Sequence, residues 1–398
     1  MIDASLIDVA KVRADTPGCE HVVHLNNAGA ALPPRVVVDT VIDHLELEAR
    51  VGGYAAADTV ADRSAAVYDS VAALIGAASD EIALVESATR AWDMAGYALG
   101  AMFRAGDRIL TSRAEYASNV IGLLQIARSS GAAVEVVPDD ESGQLSIDAL
   151  RGLLDDRVRL IALSWIPTQG GLVNPAAAVG AVARDAGVAY LLDACQAVGQ
   201  LPVDVEALGC DFLSATGRKY LRAPRGTGFL YVRRAYFEGP HAAEPPFLDV
   251  HAAQWATGNE LIMRDDARRF ESWEHSVAAR LGLGAATDYA LALGVDAIAA
   301  RVVALATSLR EQLARLPGLT LHDQGVERCG IVTFTIDAVD AHELAARLRT
   351  EGINISVSTI DFARYDFEAR GLEAVARASV HYYNTEEELS RLVAALHR

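Results

Sequence analysis

From about residue 80 the chain alternates short apolar runs with amphipathic stretches. The runs cover residues 82–85, 108–111, 134–137, 160–163, 190–192, 212–214 and 229–232. Amphipathic stretches, for example 118–129 and 175–186, separate most of them. Strand, helix, strand repeated in this way predicts an α/β fold with a large, mostly parallel sheet of the seven-stranded type. Ligands of such sheets sit beyond the carboxyl ends of the strands, so chemistry is sought just after each run.

The pattern changes after about residue 280. An Ala/Leu-rich helical stretch covers 278–316, followed by a strand-like run at 331–336, a helix near 341–350 and a run at 376–382. The last helix opens with Asn384-Thr385-Glu386-Glu387-Glu388, a capping box from Thr385 to Glu388. These elements predict a smaller α+β C-terminal domain over 286–398 beside a large domain over 20–285. Residues 1–19 are expected to pack with the smaller one. No internal repeat is visible.

The chain has 398 residues, 52% of them hydrophobic, which is enough for one large core and a smaller one. Its net charge is −18. A surface this acidic repels phosphate backbones and anionic lipid, so neither nucleic acid nor a membrane is an expected partner. No apolar run is long enough to span a bilayer. The cysteines Cys19, Cys195, Cys210 and Cys329 form no CxxC pair, which argues against a disulfide framework and against zinc. The start, Met1-Ile2-Asp3-Ala4-Ser5, lacks the basic and apolar regions of a secretory signal, so a cytoplasmic location is expected. His21-Val22-Val23-His24 is an HxxH without a glutamate, and Gly226-Thr227-Gly228 lacks a third glycine. Neither a metal nor a dinucleotide is expected.

Three segments carry candidate chemistry. Leu191-Leu192-Asp193-Ala194-Cys195-Gln196 places Asp193 at the end of an apolar strand; alone, it reads as a helix N-cap. Ser214-Ala215-Thr216-Gly217-Arg218-Lys219-Tyr220 places Lys219 in a tight turn after another strand, and Lys11 is the only other lysine. A lysine usually lies on the solvated surface. In such a turn it is a candidate for Schiff-base chemistry, because desolvation and nearby cations favour a neutral, nucleophilic amine. Val85-Glu86-Ser87-Ala88-Thr89-Arg90 places small and hydroxyl residues at a helix start, either as ordinary capping or as an anion cradle.

Together the three segments make up the parts list of a pyridoxal-phosphate (PLP) site. The sequence here resembles the fold-type I PLP enzymes, and within them the class V aminotransferase and cysteine desulfurase-like family. The likeness runs from Leu25-Asn26-Asn27-Ala28-Gly29 to Arg377-Ala378-Ser379-Val380-His381-Tyr382-Tyr383-Asn384-Thr385. It implies that Lys219 carries the cofactor as a Schiff base and that Asp193 pairs with the pyridine nitrogen. An ion pair at about 4 Å is worth roughly 4 kcal/mol at an effective dielectric near 20, enough to keep the ring protonated. It also implies that Gln196 contacts the ring hydroxyl, and that Ala88, Thr89, Thr216 and Arg218 bind phosphate. Tyr116 falls where desulfurases stack a histidine on the ring, and could equally be a core tyrosine. Thr168 falls where they carry an asparagine near the cofactor hydroxyl. Arg377 matches the arginine that grips the substrate α-carboxylate, with Asn27 and Tyr54 as further substrate contacts. The resemblance implies a homodimer with active sites at the subunit interface. The segment 269–275 aligns with one that reaches the partner subunit's phosphate, and its threonine is replaced, with Glu274 standing nearby.

The family's desulfurases carry a nucleophilic cysteine on a loop of the small lobe. The corresponding stretch, 354–370, contains none, and a persulfide mechanism needs a thiolate there. The sequence therefore points to a C–S lyase that eliminates the β-substituent of an S-substituted cysteine. An aminotransferase or an amino-acid epimerase on the same scaffold is the alternative, and a PLP-binding protein without catalysis is a third. Substrate specificity is expected from Gly52-Gly53-Tyr54 and the loop 356–365.

Overall fold

The protein is described from a computed structural model that covers residues 7–239 and 242–397. After the short strand β1 (Val23–His24), the seven apolar runs become seven strands. They are β2 (Ile82–Val85), β3 (Arg108–Ser112), β4 (Ala133–Val137), β5 (Val158–Ser164), β6 (Ala189–Asp193), β7 (Phe212–Thr216) and β8 (Gly228–Val232). One sheet holds them in the order β2-β8-β7-β6-β5-β3-β4. The pairings from β4 through β3, β5 and β6 to β7 are all parallel. Only β8 runs against its neighbours β2 and β7.

Both faces of this sheet are covered, which is why its strands read as unbroken apolar runs. Leu160, Ala162, Leu191 and Phe212 join one core with Trp92, Leu123 and Ile126 from the helices Ala88–Gly100 and Ala117–Ser130. The intervening Ile161, Leu163, Leu192 and Leu213 join a second core on the opposite face. That second core continues into Ile331, Phe334 and Ala376 beyond the sheet.

A hairpin of β9 (Ala253–Thr257) and β10 (Glu260–Met263) follows the large sheet. The remaining strands are β11 (Leu319–Leu321), β12 (Ile331–Ile336), β13 (Ile353–Asn354), β14 (Ser356–Thr359) and β15 (Ala374–Ser379). Four of them form an antiparallel sheet in the order β11-β12-β15-β14. β1 pairs in parallel with β13. Residues 1–6 of the N-terminal segment lie outside the described residues. Further along it, Arg13 Nη1 donates to the Tyr383 carbonyl at 2.9 Å and to Glu388 Oε1 at 2.8 Å.

Two of the expected elements need correction. The helical stretch 278–316 is two helices, Val277–Leu293 and Val295–Leu313, bent by 80° at their junction. Gly294 takes φ 83°, a left-handed conformation that ends the first helix, while the apolar composition runs on without a break. The boundary expected between 285 and 286 falls inside the first of these helices. The run 376–382 stops as a strand at Ser379. Beyond it the His381 N–H donates to Asn384 Oδ1 at 2.8 Å and the chain turns. Glu388 and Thr385 then cap the last helix reciprocally, as their spacing predicts.

The turn that follows Lys219 is held by an unusual arginine. Arg222 is buried and has φ 65°. Its Nε donates to the Leu32 carbonyl at 2.7 Å, Nη2 to Thr16 Oγ1 at 2.5 Å and Nη1 to the Tyr382 hydroxyl. Its guanidinium lies 4.6 Å from the centroid of the Tyr383 ring. Among the described residues no single helix is long and apolar enough to cross a membrane.

Gly180, in the helix Ala176–Ala186, lies against the Leu208–Gly209 backbone. A Cβ there would lie 1.9 Å from the Leu208 carbonyl oxygen, which cannot move without shifting the chain. Gly180→Ala is expected to cost about 1–3 kcal/mol, read as a lower urea midpoint.

Candidate active site

The carboxyl ends of β3, β5, β6 and β7, with the helix start after β2, close around one open cleft. Its anion-binding corner is built by backbone. Ser87 caps the helix Ala88–Gly100, its Oγ accepting the Arg90 N–H at 3.1 Å. Ala88 and Thr89 lie in the first turn, where N–H groups have no intrahelical acceptor. Gly228 sits between Val85 and Thr216 in the sheet register. A Cβ at Gly228 would stand 2.6 Å from the Ala215 carbonyl oxygen and 2.9 Å from the Ser87 carbonyl carbon. Thr216 and Arg218 line the same corner. Thr216 Oγ1 donates to the Thr227 carbonyl at 3.2 Å, and Arg218 Nη1 donates to that of Gly29.

Asp193 ends β6 with its carboxylate 7% exposed. Oδ1 accepts the Cys195 N–H at 2.8 Å and Oδ2 accepts Asn119 Nδ2 at 2.8 Å. Burial pushes its carboxyl up, against the pull of those two donors and of Lys219. Lys219 lies on the same cleft, in a turn fixed by three backbone bonds: Gly217 N–H to Thr227 at 2.9 Å, Ala223 N–H to Gly217 at 2.8 Å and Arg222 N–H to Lys219 at 2.9 Å. Cys195 also lines the cleft; burial pushes its thiol up, and the neighbouring Lys219 opposes this. Gln196 donates through Nε2 to the Ala28 carbonyl at 3.2 Å, leaving its buried Oε1 without a partner. Tyr116 reaches the cleft from the start of the helix Ala117–Ser130.

Thr168 lines the cleft but is also bonded to Arg377. Arg377 sits on β15, buried, and its Nη1 donates to the Thr168 carbonyl at 2.9 Å and hydroxyl at 2.6 Å. Its Nη2 lies 3.5 Å from Asn26 Oδ1, and its Nε has no partner. Burial pushes this guanidinium down to about 10, and no carboxylate pairs with it among the described residues.

Two expected substrate contacts lie elsewhere in the chain. Asn27 is fully buried and spends its amide on the Ser379 carbonyl at 2.7 Å and on the Tyr383 hydroxyl. Its neighbour Asn26 is the one that approaches Arg377. Tyr54 is 83% exposed on the helix Gly53–Thr59 and does not line the cleft of this chain. Conversely, Ser87, Asn119, Ser164, Ile166 and Cys195 line the cleft without having been singled out. The spacing of Glu115 and Asn119, one helical turn apart, is the signal that could have found the second of them. Among the described residues no group of three or more His, Cys, Asp or Glu side chains could hold a metal ion.

The profile of the family "Aminotransferase class-V" matches residues 23–392, and the chain belongs to that family. It is accordingly a PLP-dependent enzyme. It is 31% identical to the "Probable cysteine desulfurase" of Xylella fastidiosa (strain 9a5c), over 98% of this chain and 95% of that protein. It is 32% identical to the "Cysteine desulfurase" of Yersinia pestis (strain Pestoides F), over 98% of each. Among solved structures, the cysteine desulfurase CsdA from Escherichia coli superposes with a TM-score of 0.91 at 25% identity, covering 98% of each chain. C-DES, described as a cystine C-S lyase, superposes with a TM-score of 0.84 at 22% identity over 96% of this chain and 98% of that one, a likeness of fold.

The cleft fits the family's cofactor on its own features. Gln196 Oε1 is an unused acceptor for a hydroxyl, and the first-turn N–H groups at Ala88 and Thr89 face the cleft beside Thr216 and Arg218. Gly228→Ala is expected to lower the melting temperature and, by displacing the Ser87 backbone at the helix start, to weaken PLP uptake by tenfold or more. Absorbance titration with PLP, beside thermal unfolding, measures both.

Proposed function

We propose that this chain is a C–S lyase that eliminates the sulfur substituent of an S-substituted cysteine. The observation that carries the reading is Arg377, a buried cation without a carboxylate of its own, bonded to Thr168 on the Lys219 cleft. It can meet an amino acid's α-carboxylate with two parallel hydrogen bonds. Thr168 fixes the guanidinium from one side. The sulfur chemistry is supported by the cysteine desulfurase relatives, and elimination by the stretch 354–370, which adjoins Arg377 through β14 and holds no thiol.

PLP, when bound, supplies an electron sink for the pair left behind when a bond at the amino acid's Cα breaks. The chain's residues do the rest. Lys219 Nζ would hold the cofactor and, as a free amine near the substrate, would take the proton from Cα. Asp193 holds the ring nitrogen's proton. Gln196 meets the ring hydroxyl, Tyr116 covers one ring face, and Ala88, Thr89, Thr216 and Arg218 hold the phosphate. The Cβ–S bond then breaks with its electron pair leaving on sulfur, and hydrolysis of the remainder gives pyruvate and ammonia. A homodimer is part of the reading, supported by exposed Tyr54, Trp255 and Trp273 on this chain.

Cysteine S-conjugates given to the PLP-loaded protein should yield pyruvate, ammonia and a thiol in equal amounts. If a broad panel yields none of the three, the lyase reading fails, and deuterium uptake at Cα without elimination would establish epimerisation or transamination instead. Lys219→Ala should abolish turnover and the imine absorbance. Arg377→Gln should raise KM by on the order of a hundredfold, from the loss of two charge-assisted hydrogen bonds, with the imine absorbance retained.

A further inference from the structure

Asp193 does not stand alone at the end of β6. Its Oδ2 shares a donor with a second buried carboxylate, because Asn119 Nδ2 donates both to Asp193 at 2.8 Å and to Glu115 Oε1 at 2.9 Å. Asn119 and Glu115 are each 2% exposed. Besides Asn119, Glu115 accepts from the N–H groups of Tyr116 at 2.9 Å and Ser164 at 2.8 Å, and from the hydroxyls of Ser164 and Thr111, the latter at 3.3 Å. Ser164 is the register partner of Asp193 across β5 and β6. Glu115 therefore spans the ends of β3 and β5, and through Asn119 it reaches the end of β6.

Every one of these neighbours can donate, and the two backbone groups can do nothing else. Burial and, more weakly, Asp193 push the Glu115 carboxyl up, but the donors of Ser164, Asn119 and Tyr116 pull it down. A shell made wholly of donors suits an acceptor-only carboxylate, an anion. No cation pairs with Glu115 among the described residues. Two buried carboxylates thus bracket a single neutral amide. The ionisable groups around Asp193 are Glu115 from the segment after β3, Lys219 and Arg218 from the turn after β7, and Cys195 beside it. A protonated pyridine ring at Asp193 adds positive charge next to this anionic pair, where an uncompensated buried charge is costly.

Resting on the PLP reading, we propose that Asn119 and Glu115 are positioning residues for the proton on the cofactor's ring nitrogen. Asn119 fixes the rotation of the Asp193 carboxylate. Glu115 orients the Asn119 amide and adds a second negative charge behind Asp193. Neither touches the substrate.

The test compares PLP with its analogue in which the ring nitrogen is replaced by C–H, using Asn119→Ala, Asn119→Ser and Glu115→Gln. Absorbance titration gives the affinity of each apoprotein for both compounds, and thermal unfolding confirms that it is folded. The wild type should prefer PLP over the analogue, and each variant should shrink that preference by about tenfold, as expected for one lost hydrogen bond to a charged group. A variant that weakens both compounds alike, or neither, overturns the inference, since a merely structural role cannot tell nitrogen from carbon. A wild-type protein that takes up neither compound would overturn the cofactor reading itself, and this inference with it.

Discussion

A carboxylate that has almost left water is the constraint around which this molecule is arranged. Asp193 is 7% exposed, and Lys219 is the cation that acts on it. Leaving a charge there is costly unless donors and a counter-charge surround it. The backbone of Cys195 and the amide of Asn119 supply the donors. The same arrangement favours a positively charged ring beside Asp193, and a protonated pyridine is the stronger acceptor of electrons.

The sheet makes this placement rigid. Two-sided burial keeps the central strands β5 and β6 largely apolar along their middles, and at the carboxyl ends of β5, β6 and β7 Ser164, Asp193 and Thr216 all come to one edge. β8, the one reversed strand, brings the chain back so that Gly228 lies beside Thr216 and Val85. The missing side chain of Gly228 lets the backbones of Ser87 and Ala215 close tightly at the edge of the cleft. Arg377 arrives from the smaller sheet and meets the cleft's edge through Thr168.

The seven strands were legible because burial on both faces makes them apolar without alternation. Asp193 and Lys219 were legible because a charged residue that closely follows such a run stands at the carboxyl edge of the sheet, where ligands bind. What the sequence could not disclose was set by turns and by distant packing. Whether Asn26 or Asn27 approaches Arg377 depends on a tight turn after β1, and a shift of one residue sends the other amide into the interior. Asn119 looked like one polar position on an amphipathic helix, and only the helix's angle to the sheet aims it at Asp193. The break at Gly294 was hidden because apolar residues flank it on both sides.

Arg222 has a consequence for how the protein is made. The turn that presents Lys219 is clasped by Thr16 and Leu32, which precede it, and by Tyr382 and Tyr383, which follow it far along the chain. While the polypeptide is still emerging from the ribosome, the later half of that clasp does not exist. The Lys219 turn is complete only once Tyr382 and Tyr383 have been made, so a coenzyme captured by a shorter nascent chain would meet an unfinished grip.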